Sequence, residues 1–171
     1  MSMTLSVQPI QSTDAKAAAQ IHYLTWKDVF SQWIPIEICN QMTLEACERI
    51  WLQLTDSSSP LRHTVGIFQS GELIGTIVWG EPREDKAFEV ELYSMLIHPS
   101  RLSQGAGQRL FAACLQNMRE QGFKNFYLNC IDVNTRALRF YEKMGGRTLP
   151  GSVNRKCYRE LRIHWTLNQT S

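Results

Sequence analysis

Apolar positions along this chain recur at two different spacings, and the changes of spacing mark out its elements. Residues 5–10 alternate weakly, as a first strand does. Ser12 or Thr13 then serves as a cap for a helix carrying Ala15, Ala18, Ala19 and Ile21 towards Trp26, and Pro35 interrupts this helical region. A second helix begins near Thr43 and Glu45, with Leu44, Cys47, Ile50, Trp51 and Leu54 at helical spacing, and ends at a serine-rich loop over residues 55–60. From Arg62 the texture turns to branched and aromatic residues: HTVGIFQ, a Ser70-Gly71 turn and ELIGTIVWG predict a β-hairpin. After the polar EPREDK, residues 87–98 form a long strand that stops at Pro99, which has no N–H to give a ladder.

A helix over residues 105–121 follows, with Leu110, Ala113, Cys114 and Met118 as its apolar stripe and Gly122 as its stop. NFYLNCI is a short strand, Asn134 opens a helix closed by Gly145-Gly146, and residues 147–149 and 158–167 supply two closing strands. The order strand, two helices, three strands, helix, strand, helix, two strands predicts an α/β (α+β) domain: a mixed sheet flanked by helices, with a strand–helix–strand crossover in its second half. A chain of 171 residues with 43% hydrophobic content suits one such domain over residues 1–171.

Charge narrows the function classes. Lys and Arg number 18 against 16 Asp and Glu, so a net charge of +2 gives no electrostatic case for nucleic acid or an acidic membrane. Cys39, Cys47, Cys114, Cys130 and Cys157 are scattered and odd in number, which reads as free thiols in a reducing compartment. His22, His63, His98 and His164 lack metal-ligand spacing, so no metal is expected. No apolar run reaches the roughly 20 residues that cross a bilayer, and the first residues lack a signal layout, so the expected location is cytoplasmic.

The most informative stretch is LIHPSRLSQGAGQRL, where a strand ends at Pro99 and a helix starts around Gly105 and Gly107. Bare main-chain amides at a helix start, with the helix dipole behind them, favour an anion such as a diphosphate; a purely structural turn uses the same residues. The loop does not end in Gly-Lys-Ser/Thr, and Leu110 stands where a dinucleotide fold needs a third glycine.

ELYSMLIHPSRLSQGAGQRLF followed by LNCIDVNTRALRFYEKMGG resembles the GNAT superfamily of acetyl-CoA-dependent N-acetyltransferases, across roughly residues 62–165. The family pattern Gln/Arg-x-x-Gly-x-Gly/Ala falls on Leu102, Ser103, Gln104, Gly105, Ala106 and Gly107, followed by Gln108. Leu102 departs from it, and Arg101, Gln108 and Arg109 are the neighbours able to compensate. The resemblance implies splayed central strands, acetyl-CoA as acyl donor, a diphosphate on that loop, and a pantetheine arm along Met95, Leu96 and Ile97, with N–H groups near Leu96 and Ile97 polarising the thioester. It also implies Asn134 and Tyr141 as coenzyme contacts, with Tyr141 giving a proton to the leaving thiolate. Glu91 is the first choice for a base acting directly or through water, and Glu89, on the same side by strand alternation, the second. The expected reaction is direct transfer, through a ternary complex, to a primary amine of a small molecule or peptide, with a homodimer left open.

Simpler readings stand beside these. Glu91 can be a solvated strand residue, Tyr141 a core tyrosine in the row of Leu138 and Met144, and Asn134 only a helix cap. Trp26, Trp33 and Trp51 are read mainly as packing, with 33–36 as a loop over the acceptor. A coenzyme A-binding sensor without turnover, or an α/β module whose glycine loop is structural, remain the competing classes.

Overall fold

The computed structural model describes residues 4–56 and 62–167, so most of the expected serine-rich loop lies outside the described residues. The strands are β1 (Leu5–Pro9), β2 (Arg62–Gln69), β3 (Glu72–Gly80), β4 (Val90–Ile97), β5 (Asn125–Ile131), β6 (Arg147–Thr148), β7 (Val153–Asn154) and β8 (Arg159–Thr166). The helices are α1 (Ala15–Asp28), α2 (Ile36–Cys39), α3 (Leu44–Leu54), α4 (Ala106–Glu120) and α5 (Thr135–Lys143). The sheet runs β1-β2-β3-β4-β5-β8-β6 with β7 against β8, and every pairing is antiparallel except β4 with β5. That parallel pair flanks α4, as a strand–helix–strand crossover requires.

Two sequence expectations need correction here. Neither Ser12 nor Thr13 caps α1: residues 12–14 form a 3-10 turn, and Asp14 reaches back to accept from the Gln11 N–H at 2.8 Å. The long strand begins at Val90 rather than Ala87, because the amide of Ala87 is turned onto the Asp85 carboxylate in the preceding loop. The short elements α2 and β7 were not expected; four and two residues are too few to show a period.

The two faces of the sheet carry different cores. On one, α1 and α3 bring Ala18, Ile21, Cys47 and Trp51 onto Phe68, Val78 and Leu96. On the other, α4 and α5 bring Leu110, Phe111 and Tyr141 onto Ile77, Trp79, Leu92, Phe126 and Trp165. A bulge sets which β4 side chains go where. Trp79 pairs with Leu92 but Val78 with Ser94, leaving Tyr93 as the extra residue. The added residue reverses the alternation, so Val90 and Leu92 before it and Met95 and Ile97 after it all meet the α4 side.

Candidate active site

The central strands part. β4 and β5 share only the register Val90–Phe126 and Glu91–Tyr127, and beyond Glu91 the β5-facing edge of β4 has no strand partner among the described residues. On its other edge β4 continues to pair with β3 through Ile97, and the His98 N–H donates to Ile74 O at 2.9 Å. Antiparallel ladders alternate. Leu96, expected to offer its N–H to the thioester, is therefore turned to β3 with its side chain in the α1–α3 core, whereas the main-chain groups of Met95 and Ile97 point into the gap.

The glycine loop lies at the end of this open edge. Ser103 and Gly105 both adopt left-handed backbone, with φ of 62° and 83°. No side chain added at Gly105 would meet an atom within 4 Å, so its glycine is required by backbone angle alone. Gly107 differs: an added Cβ there would come within 3.2 Å of Met95 Cε and 3.7 Å of Phe140, so this glycine lets α4 approach β4 and α5. The main-chain N–H groups from Ser103 through Gln108 donate to no acceptor among the described residues, and the first bond into the helix runs from Arg109 N to Gly105 O at 3.2 Å. A left-handed turn followed by bare helix amides is a concave anion seat.

Basic groups surround that seat. The Arg136 guanidinium, at the start of α5, donates to Ser103 Oγ at 2.9 Å and ties the two helix starts together. Sequence reasoning missed Arg136, although its place two residues after the helix-opening Asn134 was a signal. Arg101 is drawn to Glu72 at 3.5 Å, whereas exposed Arg109 has no carboxylate partner among the described residues. Leu102 is half-buried with extended backbone. Gln104 donates to Ser100 O at 3.3 Å, Ala106 is buried, and Gln108 is exposed on the first turn. Asn134 caps α5, its Oδ1 accepting from Ala137 N at 3.2 Å.

Tyr141 sits on the α4–α5 side among Phe111, Phe140 and Trp165. Its hydroxyl makes no hydrogen bond among the described residues. Burial, with the nearby Cys130 thiol adding to it, raises its pKa above the ordinary tyrosine range, so the phenol stays protonated. Glu91 lies on the opposite face with its side chain 2% exposed. One carboxylate oxygen accepts from Arg83 Nε at 3.1 Å and Nη2 at 2.5 Å; the other accepts from Arg83 N at 2.7 Å and the Tyr127 hydroxyl at 2.9 Å. It is a clamped anion, and no contact joins it to Tyr141. Tyr127 and Arg83 escaped the sequence reading, since the register that sets Tyr127 beside Glu91 is a tertiary fact. Glu89 stands apart, before β4, where its carboxylate accepts from Lys124 N at 2.6 Å.

A third cluster packs at the end of β5. Ile34 and Cys39 pack on Ile131, the last residue of β5, together with Trp26, Phe30, Trp33, Ile38, Cys157 and Tyr158. A separate open cavity of about 560 Å³, lined by Leu138, Arg139, Glu142, Thr148 and Ile163 among others, lies on the flank of α5 facing β6 and β8. It is on the other side of α5 from Phe140, which meets Phe111 of α4, and has no part in the parted-strand site. Among the described residues no His, Cys, Asp or Glu side chains cluster as a metal site, and no helix is long and apolar enough to cross a membrane.

A parted parallel pair beside a helix start with unpaired amides is what the resemblance implied. Comparison with known proteins decides it, because the model of the acetyltransferase (GNAT) family matches residues 26–146. The chain belongs to the GNAT family. As a GNAT N-acetyltransferase it is an acyltransferase. It is 25% identical over 143 residues to the uncharacterized N-acetyltransferase YuaI of Bacillus subtilis (strain 168), covering 81% of this chain and 78% of the relative. Its fold matches the PaiA N-acetyltransferase of Thermoplasma acidophilum in complex with coenzyme A, with a TM-score of 0.81 at 16% identity over 96% of this chain and 99% of that one. It also matches YncA of Salmonella typhimurium with acetyl-CoA, with a TM-score of 0.67 at 15% identity over 98% and 96% of the two chains. These likenesses establish the mixed GNAT sheet for this acetyltransferase.

Proposed function

We propose that this GNAT acetyltransferase binds acetyl-CoA along the parted edge of β4 and passes the acetyl group directly to a primary amine in a ternary complex. The observation that carries the reading is the run of unpaired amides from Ser103 to Gln108, placed where the β5-facing edge of β4 is open. Those amides and Arg136 seat the diphosphate, and the main-chain groups of Met95 and Ile97 hold the pantetheine amides and polarise the thioester oxygen. Bound acetyl-CoA supplies the activated acyl carbon. The backbone seat survives Leu102, because a side chain is lost there and not an amide.

An alkyl ammonium of pKa about 10 must lose a proton before it attacks. Glu91 is the anion that draws this proton, through a water and not by direct contact, because Arg83 and Tyr127 already occupy both of its oxygens and the Tyr127 hydroxyl itself accepts from the Glu84 and Asp85 N–H groups. Tyr141, kept protonated by burial, hydrogen-bonds the departing sulfur. Titration calorimetry with coenzyme A and thiol release with an amine panel test this. Tyr141→Phe is expected to lose about 100-fold in kcat with coenzyme affinity within about twofold. Wild-type protein that binds coenzyme A but releases no thiol with any amine would leave the sensor reading standing. Failure to bind at millimolar ligand removes both.

A further inference from the structure

We infer that Arg83 gates the reaction: its guanidinium occupies the place on Glu91 through which the acceptor ammonium gives up its proton, and the acceptor exchanges with it there. This rests on the acetyl-transfer reading above, with Glu91 as the anion that draws the proton. A carboxylate offers about four lone-pair positions, two on each oxygen. On Glu91 four donors fill them. Oε1 accepts from Arg83 Nε at 3.1 Å and Nη2 at 2.5 Å, and Oε2 accepts from Arg83 N at 2.7 Å and the Tyr127 hydroxyl at 2.9 Å. A water carrying the acceptor's proton finds an open position only when a donor leaves.

The donors on Oε2 are fixed. Tyr127 is buried, its hydroxyl accepts from Glu84 N at 3.3 Å and Asp85 N at 3.2 Å, and the Arg162 guanidinium lies 4.6 Å from its ring. The backbone that carries Arg83 N is tied down beside it, with Glu84 paired to Arg155 at 2.6 Å and Asp85 to Arg162 at 2.8 Å. The donors on Oε1 are not. Among the described residues the Arg83 side chain is held only by Glu91 and by the Tyr93 ring, 4.3 Å from its Cζ, and it is 62% exposed against 2% for Glu91. A change of rotamer returns this guanidinium to water while the loop stays in place. Glu91 has no such freedom, because a buried charge stripped of its partner is costly. Its new partner has to bring positive charge and hydrogen-bond donors, as an alkyl ammonium with a bridging water does. One N–H bond of the ammonium then breaks, a proton passes through the water to form an O–H bond at Oε1, and the nitrogen keeps the electron pair that attacks the acetyl carbon.

Thiol release from acetyl-CoA with benzylamine, spermidine, glycine and Nα-acetyl-lysine tests the inference, the fastest of the four serving for the variants. Arg83→Ala should lower the KM for that amine several-fold, with kcat no lower than in the wild type and the KM for acetyl-CoA unchanged. Methylguanidinium at constant ionic strength should compete with the amine and inhibit Arg83→Ala more strongly than the wild type, whose own guanidinium is already seated. Arg83→Lys, which keeps the charge but trades the fork for one ammonium, should fall between the two, and it carries the test if Arg83→Ala does not fold. With Glu91→Gln in the same chain, Arg83→Ala should no longer move the KM. A permanent clamp gives the opposite signs: kcat lowered in both Arg83 variants and restored in Arg83→Ala by methylguanidinium. That result, or constants unchanged in both variants, would overturn the inference and leave acetyl transfer intact. Thiol release with none of the amines, in protein that binds coenzyme A, would overturn the transfer reading and this inference with it.

Discussion

Two side chains at the site are governed by what surrounds them. Burial keeps the Tyr141 phenol protonated beyond its ordinary range, so a tyrosine donating to sulfur should not titrate where free tyrosine does. Activity plotted against pH should rise as the amine loses its proton and show no fall near pH ~10, the unperturbed tyrosine value. A descending limb near there, absent from Tyr141→Phe, would show the phenol to be solvated. Glu91→Gln keeps the shape and removes the anion. It should lower kcat at least about tenfold with little change in the KM for acetyl-CoA, because the coenzyme lies on the other end of β4; an unchanged kcat would reduce Glu91 to a clamp for the 81–89 loop. The thiols obey the same rule of burial. Cys114 and Cys130 are pushed up to about 12 and Cys47 to about 11, and Cys39 is raised as well, by burial first and by the neighbouring Cys157 second. Only Cys157 is more than marginally exposed, so a native thiol titration should find one fast-reacting group, lost in Cys157→Ser.

At the scale of elements, the seat depends on two helix starts acting together. Arg136→Ala releases Ser103 from α5 and removes a cation from the anion seat. Coenzyme A affinity should fall several-fold, with a weaker dependence on salt and an unchanged melting temperature, measured by calorimetry at two ionic strengths. Gly105→Ala makes no clash but places a Cβ in left-handed backbone, a cost of about 1 kcal/mol that thermal unfolding reads directly. These contrasts also mark what a sequence can disclose. The strand–glycine loop–helix order was legible because proline and glycine punctuate it and because a left-handed turn selects glycine. The hairpin around Ser70-Gly71 and the Asn134 cap were legible for the same local reasons. The bulge at Tyr93, the Glu91–Tyr127 pairing and the Arg136–Ser103 bridge were not, since each depends on which distant segments become neighbours. The different duties of Gly105 and Gly107 were hidden too: one answers to its backbone angle, the other to the side chains of Met95 and Phe140.

Across the whole molecule, His22 links the packing of α1 on α3 to the aromatic cluster at the end of β5. Its Nε2 accepts from Trp26 Nε1 at 3.2 Å, which places the ring proton on Nδ1, where no acceptor is found among the described residues. Its ring also meets the edge of Trp51 from α3 at 6.5 Å. Burial lowers the His22 pKa from 6.5 to about 4, so the folded protein holds it neutral. The sign follows from proton uptake. Above pH 6.5 neither folded nor unfolded chain protonates this ring, and its contribution is full. Between 6.5 and about 4 the unfolded chain takes up a proton that the folded one refuses, and stability declines by up to about 3 kcal/mol. The melting temperature should therefore fall across that window, and His22→Gln, which cannot charge, should flatten the slope there. Protonation also removes the acceptor for Trp26, which packs in that cluster with Phe30 and Trp33. The KM for the amine acceptor should then climb towards the acid end of the window more steeply in the wild type than in His22→Gln, while the KM for acetyl-CoA, bound along the parted edge of β4, stays level. Parallel acid responses of the two constants would separate His22 from acceptor binding and confine it to the packing of α1 on α3.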